Sequence, residues 1–133
     1  MEVKLKLNDN WFQASNAKGA TLKLGAGLED GVSPMEAQLM AAGGCTGLDL
    51  AAILAKMRQP LKDLEVLVTG RREEEHPRFF HGVHLSYRLI GDIEEDKARR
   101  AIELSLEKYC SVTNGLKADI TYEYVIERGD LRP

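Results

Sequence analysis

Val3, Leu5 and Leu7 alternate with Glu2, Lys4 and Lys6, a period of two that predicts a strand with one apolar face. Asn8-Asp9-Asn10 reads as a turn. Two further strands follow, Trp11 to Ser15 and Ala20 to Leu24, joined around Asn16-Ala17-Lys18-Gly19. The chain therefore opens as a three-stranded meander. The glycine-rich stretch Gly25 to Gly31 predicts a loop; no Gly-Lys-Ser/Thr ending follows it, so a phosphate loop is a poor match.

Ser33-Pro34-Met35-Glu36 then starts a helix, with Ser33 at the N-cap, Pro34 at N1 and Glu36 completing a capping box. The helix is expected to run to Arg58 and stop before Pro60. From Leu39 to Met57 only Thr46, Asp49 and Lys56 are clearly polar. A helix apolar on nearly all sides is buried on nearly all sides. A domain this small can hardly surround it, which points to a second subunit.

Leu64, Val66 and Val68 line one face of a strand, and Val83, Leu85, Tyr87 and Leu89 one face of another, with His84, Ser86 and Arg88 opposite. The charged connection from Arg71 to Pro77 reads as an exposed hairpin end. Asp92 is expected to begin a second helix, with Glu95 as its capping-box partner. Ala98, Ala101, Ile102, Ser105 and Tyr109 keep helical spacing; near Cys110 the chain should break and restart as a short turn to Leu116. Ile120, Tyr122, Tyr124 and Ile126 alternate as a last strand, before a polar, loose tail from Arg128 to Pro133. The expected order is βββ-α-ββ-α-β, a single α+β domain over residues 1–133 with mainly antiparallel sheet.

Composition narrows the function. The 133 residues are 44% hydrophobic, enough for a real core, and carry a net charge of -3, which gives no electrostatic case for nucleic acid or an anionic membrane. Met1-Glu2-Val3-Lys4 has no signal-peptide character, and the charge-free run Ala37 to Leu48 is too short to span a bilayer. A cytoplasmic protein is expected. Two cysteines are too few for a disulfide scaffold.

Those cysteines are the candidate chemistry. Cys45 lies in the apolar, glycine-studded stretch Leu39 to Leu50, and Cys110 closes Leu104 to Val112. Brought together they would form a two-thiol redox pair; apart, each is a buried inert thiol. A mid-helix position does not activate Cys45 through the dipole, so a neighbouring cation would be needed. Gly43, Gly44 and Gly47 each cost about 1 kcal/mol in a helix interior. Close approach of another helix is the expected compensation, room for a small substrate beside Cys45 the alternative. Glu36 is nine residues before Cys45, on the opposite face of a straight helix. Asp49 needs a partner or a solvent-lined edge, and a capping or salt-bridge role is expected for it. His81 and His84 point to opposite faces of a strand, so they are not expected to share a metal with His76. No Cys-x-x-Cys or His-Glu-x-x-His motif is present.

Ser33-Pro34-Met35-Glu36, Leu39 to Thr46 and Glu107 to Val112 together resemble the OsmC/Ohr family of osmotically inducible and organic-hydroperoxide-resistance proteins, most closely its YhfA-like branch. The resemblance runs over nearly the whole chain. It implies an intertwined homodimer with the long cysteine helices at its centre, and a cysteine-based peroxidase using no metal, haem or flavin. Cys45 matches the peroxidatic position and Cys110 the resolving one; Glu36 lies beside the family's site glutamate. The substrate implied is a small organic hydroperoxide, and the reductant an external dithiol. The family also uses an arginine from its N-terminal region. This chain has none before Arg58, which leaves Arg71, Arg72 or Arg78 to substitute. The family glutamate falls ten residues before the cysteine, where this chain has Met35. A dimeric binding or structural module with little turnover is therefore the competing expectation, and a different thiol reaction on a small apolar substrate a third.

Overall fold

The computed structural model describes residues 1–128. The loose tail expected at the C-terminus lies, from residue 129 on, outside the described residues. The chain packs as two compact units, Met1–Gln38 and the remainder from Leu39.

The first unit is the expected meander. β1 (Val3–Asn8), β2 (Trp11–Asn16) and β3 (Thr21–Leu24) pair antiparallel in the order β1-β2-β3. The β1–β2 turn places Asp9 at φ 49°. The Asn16 side chain accepts from the backbone N–H groups of Lys18 and Ala20 at 3.0 and 2.9 Å, which closes the next turn. Register sets Leu5 opposite Ala14, Leu7 opposite Phe12, and Ala14 opposite Leu22, so the apolar residues share one face. Val3, Leu5, Leu7, Phe12 and Leu22 on that face are all exposed in the single chain.

α1 (Pro34–Lys56) begins with the expected reciprocal cap: Ser33 N–H donates to Glu36 Oε1 at 2.8 Å, and Glu36 N–H to Ser33 Oγ at 3.1 Å. It ends two residues earlier than expected, and Arg58 then turns the chain at φ 60°. The helix is long and apolar enough to cross a bilayer by composition alone. It is instead packed on one side, burying Ala42, Gly43, Thr46, Gly47, Leu50 and Leu54. The all-round burial expected from its sequence is absent from the single chain: Met40, Gly44, Leu48, Ala51, Ala52 and Ala55 remain exposed.

In the second unit β4 (Leu61–Arg72) and β5 (Phe80–Gly91) form a long antiparallel hairpin, and β6 (Asp119–Glu127) adds parallel to β5. A parallel neighbour requires a crossover, here α2 (Glu95–Leu104) and the segment after it. Leu50 and Leu54 of α1, Leu85, Tyr87 and Leu89 of β5, Ile93, and Ala98, Ala101 and Ile102 of α2 make the core. The other sheet face is polar, with Arg88 forked onto Glu127 at 2.7 and 2.8 Å and Ser86 bonded to Glu123 at 2.6 Å.

Two local expectations are corrected. Asp92 is no helix cap. It pairs with Arg128 at 2.7 Å, and α2 starts later, where the Gln59 side chain accepts from Glu94 N–H at 2.9 Å. Gly43 and Gly47 of α1 pack against a strand rather than a helix. A Cβ on Gly43 would lie 2.7 Å from Val68 Cγ2, and one on Gly47 would lie 3.5 Å from Val66 Cγ2, so the stripe lets α1 settle onto β4.

Candidate active site

Cys45 sits in the middle of α1, half-buried, with Asp49 one turn further along the same face. Cys110 comes from the segment that follows α2. After α2 the helix widens into a π turn over Ser105–Tyr109, in which Cys110 N–H reaches back to Ser105 O at 2.7 Å. π turns are frequent at functional sites because the extra residue re-aims the chain. Here the turn delivers Cys110, only 1% exposed, to α1. The two sulfurs and a carboxylate oxygen of Asp49 all lie within 4.8 Å of one another. Both cysteines are free thiols.

Hydrogen bonds hold Asp49 and Cys110. The Ser105 hydroxyl donates to Asp49 Oδ2 at 2.9 Å, which supplies the partner that a carboxylate in an apolar helix needs. Thr113 N–H donates to Cys110 Sγ at 3.3 Å. The Asn114 side-chain amide donates to Leu106 O at 2.9 Å and Cys110 O at 2.8 Å, pinning the segment that carries the thiol.

The charge environment disfavours ionisation of Cys45. Burial is the largest cause and pushes its thiol above the ordinary value; the Val112 backbone N–H opposes this, while Cys110 and the Asp49 carboxylate add to it. None of Arg71, Arg72 and Arg78 is among the groups acting on this sulfur. Arg72 Nε instead donates to Arg78 O at 2.8 Å, and the Arg71 guanidinium lies against Gly82. Glu36, the third candidate, is engaged in the capping box with Ser33.

Tyr87 belongs to the site although its strand periodicity marked it only as core. Its hydroxyl is buried with no hydrogen-bond partner. Burial pushes it up to about 12, and the negative charge of Cys110 and Asp49 acts in the same direction. Thr46 offsets part of the rise but makes no hydrogen bond of normal length with it, its own hydroxyl donating to Ala42 O at 3.0 Å. Asp49 also borders a cleft of about 480 Å³ lined by Ala52, Ile53, Lys56, Met57, Leu104 and Tyr109. The histidines do not converge: His81 faces Glu73, and His84 Nδ1 bonds Thr121 Oγ1 at 2.7 Å.

Comparison with known proteins gives the family. The family model described as OsmC-like protein matches residues 27–125. The chain belongs to the OsmC-like family. Protein YhfA of Escherichia coli strain K12 is 45% identical over 97 residues, 71% of this chain and 72% of that protein. Among solved structures, a hypothetical protein from Aquifex aeolicus VF5 superposes with a TM-score of 0.81 at 34% identity, covering 95% of this chain and 96% of that one. The organic hydroperoxide resistance protein OhrB of Bacillus subtilis shares the OsmC-like fold at a TM-score of 0.64 and 16% identity, over 95% and 96% of the two chains.

Proposed function

We propose that this OsmC-like chain is a thiol-dependent reductase of organic hydroperoxides, working through Cys45 and Cys110. The observation that carries the reading is the meeting of the two sulfurs, 65 positions apart in sequence, within 4.8 Å together with the Asp49 carboxylate. Cys45 is the half-exposed thiol and Cys110 the enclosed one, so the peroxide meets Cys45 first. The Cys45 thiolate attacks the terminal peroxide oxygen, the O–O bond breaks, and the alkoxide leaves and takes up a proton to become the alcohol. Cys45 is then a sulfenic acid. The Cys110 thiol displaces its hydroxyl, water leaves and a disulfide forms. An external dithiol restores both thiols by exchange. In this account the reductant keeps the site in a reducing, cytoplasmic setting.

The cleft that Asp49 borders includes Ala52, Ile53, Met57 and Leu104 in its lining, apolar surface one helical turn from Cys45 that favours an organic over an inorganic peroxide. The solved organic hydroperoxide resistance protein with the same fold supports the same class. Neutral-pH turnover is slow in this reading, since burial holds the Cys45 thiol above its ordinary value and favours the protonated form.

The working form is a homodimer. One chain leaves two apolar faces bare: the Leu5, Leu7 and Leu22 face of the meander, and the Met40, Leu48 face of α1. A second copy covers them, with an interface at the large, apolar end of the usual range.

A second reading is favoured by the same electrostatics. With a carboxylate and, among the described residues, no guanidinium acting on Cys45, the chain would be a dimeric module that keeps the fold and thiols without efficient turnover. Cumene hydroperoxide consumption in the presence of a dithiol separates the two. The peroxidase reading requires turnover that rises from neutral to alkaline pH and disappears in Cys45→Ser. Equal background rates in both proteins would leave the module.

A further inference from the structure

The donor set of the thiol pair has a use beyond peroxide chemistry. Two cysteine sulfurs and one carboxylate oxygen, mutually within 4.8 Å, are three ligands of the kind that bind soft divalent cations. Tetrahedral coordination with bonds of about 2.0–2.3 Å needs ligand atoms roughly 3.3–3.8 Å apart, so a contraction of at most about 1–1.5 Å closes the set. Each of two ligands already has an outer partner of the sort that orients metal ligands: Ser105 Oγ on Asp49 and Thr113 N–H on Cys110 Sγ. A third observation is independent of the cluster. The Tyr87 hydroxyl, 2% exposed as a residue, has no hydrogen-bond partner and lies close enough to Cys110 and Asp49 to feel their charge. Buried hydroxyl donors are rarely left unpaired. A water or hydroxide in a fourth coordination position would give this one an acceptor.

We propose that Cys45, Asp49 and Cys110 of the reduced protein form a binding site for one zinc-class divalent cation, with the fourth position open. Binding exchanges two thiol protons for the cation. Hard cations such as magnesium are poorly served, because two of the three ligands are sulfur. Histidine takes no part.

The site is coupled to redox state, a consequence that rests on the peroxidase reading above. One hydroperoxide and two protons convert the dithiolate complex to the disulfide, one alcohol, one water and the free cation. The disulfide sulfurs are no longer anionic ligands, and Asp49 alone does not hold the metal. Bound metal in turn shields Cys45 from alkylation and oxidation.

The test uses full-length protein, reduced and stripped with a chelator, titrated with cadmium followed by thiolate-to-metal charge-transfer absorption, and with zinc in competition with a chromophoric chelator. The expected result is saturation at one cation per chain. Cys110→Ser should abolish the charge-transfer band of the pair. Asp49→Asn, which is near-isosteric and keeps an oxygen acceptor for Ser105, should weaken zinc at least about tenfold. Absence of saturable binding by the reduced protein, or affinity unchanged in both variants, overturns the site. A peroxide arm keeps the two claims apart. Metal-free reduced protein that binds one zinc yet forms no disulfide with cumene hydroperoxide defeats the peroxidase reading and leaves the metal site standing.

Discussion

The Ser105 hydroxyl hydrogen-bonds the Asp49 carboxylate at 2.9 Å, joining the π turn before Cys110 to the helix that carries Cys45. That contact places a negative charge beside the two thiols and fixes the segment from which the second thiol is presented.

Removing that charge changes Cys45 in a defined direction. Burial is the main cause of its raised thiol and the Asp49 carboxylate a lesser one. Asp49→Asn should therefore increase the thiolate fraction at neutral pH and speed iodoacetamide alkylation of Cys45, measured in the Cys110→Ser background. In the parent the rate should keep rising with pH beyond the ordinary thiol range near 8.5. An unchanged rate in Asp49→Asn would detach the carboxylate from Cys45.

The presentation of Cys110 depends on Asn114. Its side-chain amide makes two hydrogen bonds, to Leu106 O and Cys110 O. Asn114→Ala should cost about 1–2 kcal/mol. It should also slow disulfide closure, so that dimedone captures more sulfenic acid at Cys45 than in the parent. Chemical denaturation and quantitative mass spectrometry measure the two effects separately.

Tyr87 makes a prediction with an alkaline signature. Its phenol is pushed up to about 12 from 10.0, so the folded state favours the neutral form. The stability this contributes is complete below about pH 10 and is lost as pH rises toward about 12. Tyr87→Phe removes a buried hydroxyl that has no partner, and should raise neutral-pH stability by up to about 1 kcal/mol while flattening the alkaline limb. Urea midpoints across that pH window check both parts.

The glycines of α1 separate fold from assembly. Gly43→Ala brings a Cβ within 2.7 Å of Val68 Cγ2 and should destabilise the chain by about 1–3 kcal/mol through overpacking. Gly44 has nothing within 4 Å inside the chain, and Leu48 is 76% exposed. Gly44→Leu and Leu48→Glu should leave the single-chain fold intact and break the dimer. Light scattering at micromolar concentration reads the outcome; a parent protein that is already monomeric would contradict the proposed assembly.

Much of this was legible in the sequence where the signal is local. The Ser33 and Glu36 capping box is a short-range motif, and it forms as read. The period-two strands likewise appear where Leu5, Val66 and Leu85 placed them. Long-range choices were less legible. Asp92 and Glu95 have the spacing of a cap, yet Gln59, 35 residues before Glu94, supplies the contact at that helix start. Gly43 and Gly47 declare a close approach but not its partner, which is β4. The pairing of the cysteines came from family resemblance. Asp49, four residues from Cys45 in an apolar helix, was the available signal for the third site member, and its partner Ser105 looked like an ordinary helical position. Tyr87 carried no signal, because a strand's inward face reads the same whether or not its hydroxyl borders a site.

The central claim is that peroxide oxidises this pair in a fixed order, Cys45 first and Cys110 second. The direct measurement is mass spectrometry of the reduced protein after one equivalent of cumene hydroperoxide, with dimedone present, on the parent and on each cysteine-to-serine variant. The account predicts a Cys45–Cys110 disulfide in the parent, a dimedone adduct on Cys45 in Cys110→Ser, and no reaction in Cys45→Ser. A dimedone adduct on Cys110 in Cys45→Ser, with Cys45 silent in Cys110→Ser, would contradict the order; two intact thiols in the treated parent would contradict the chemistry itself.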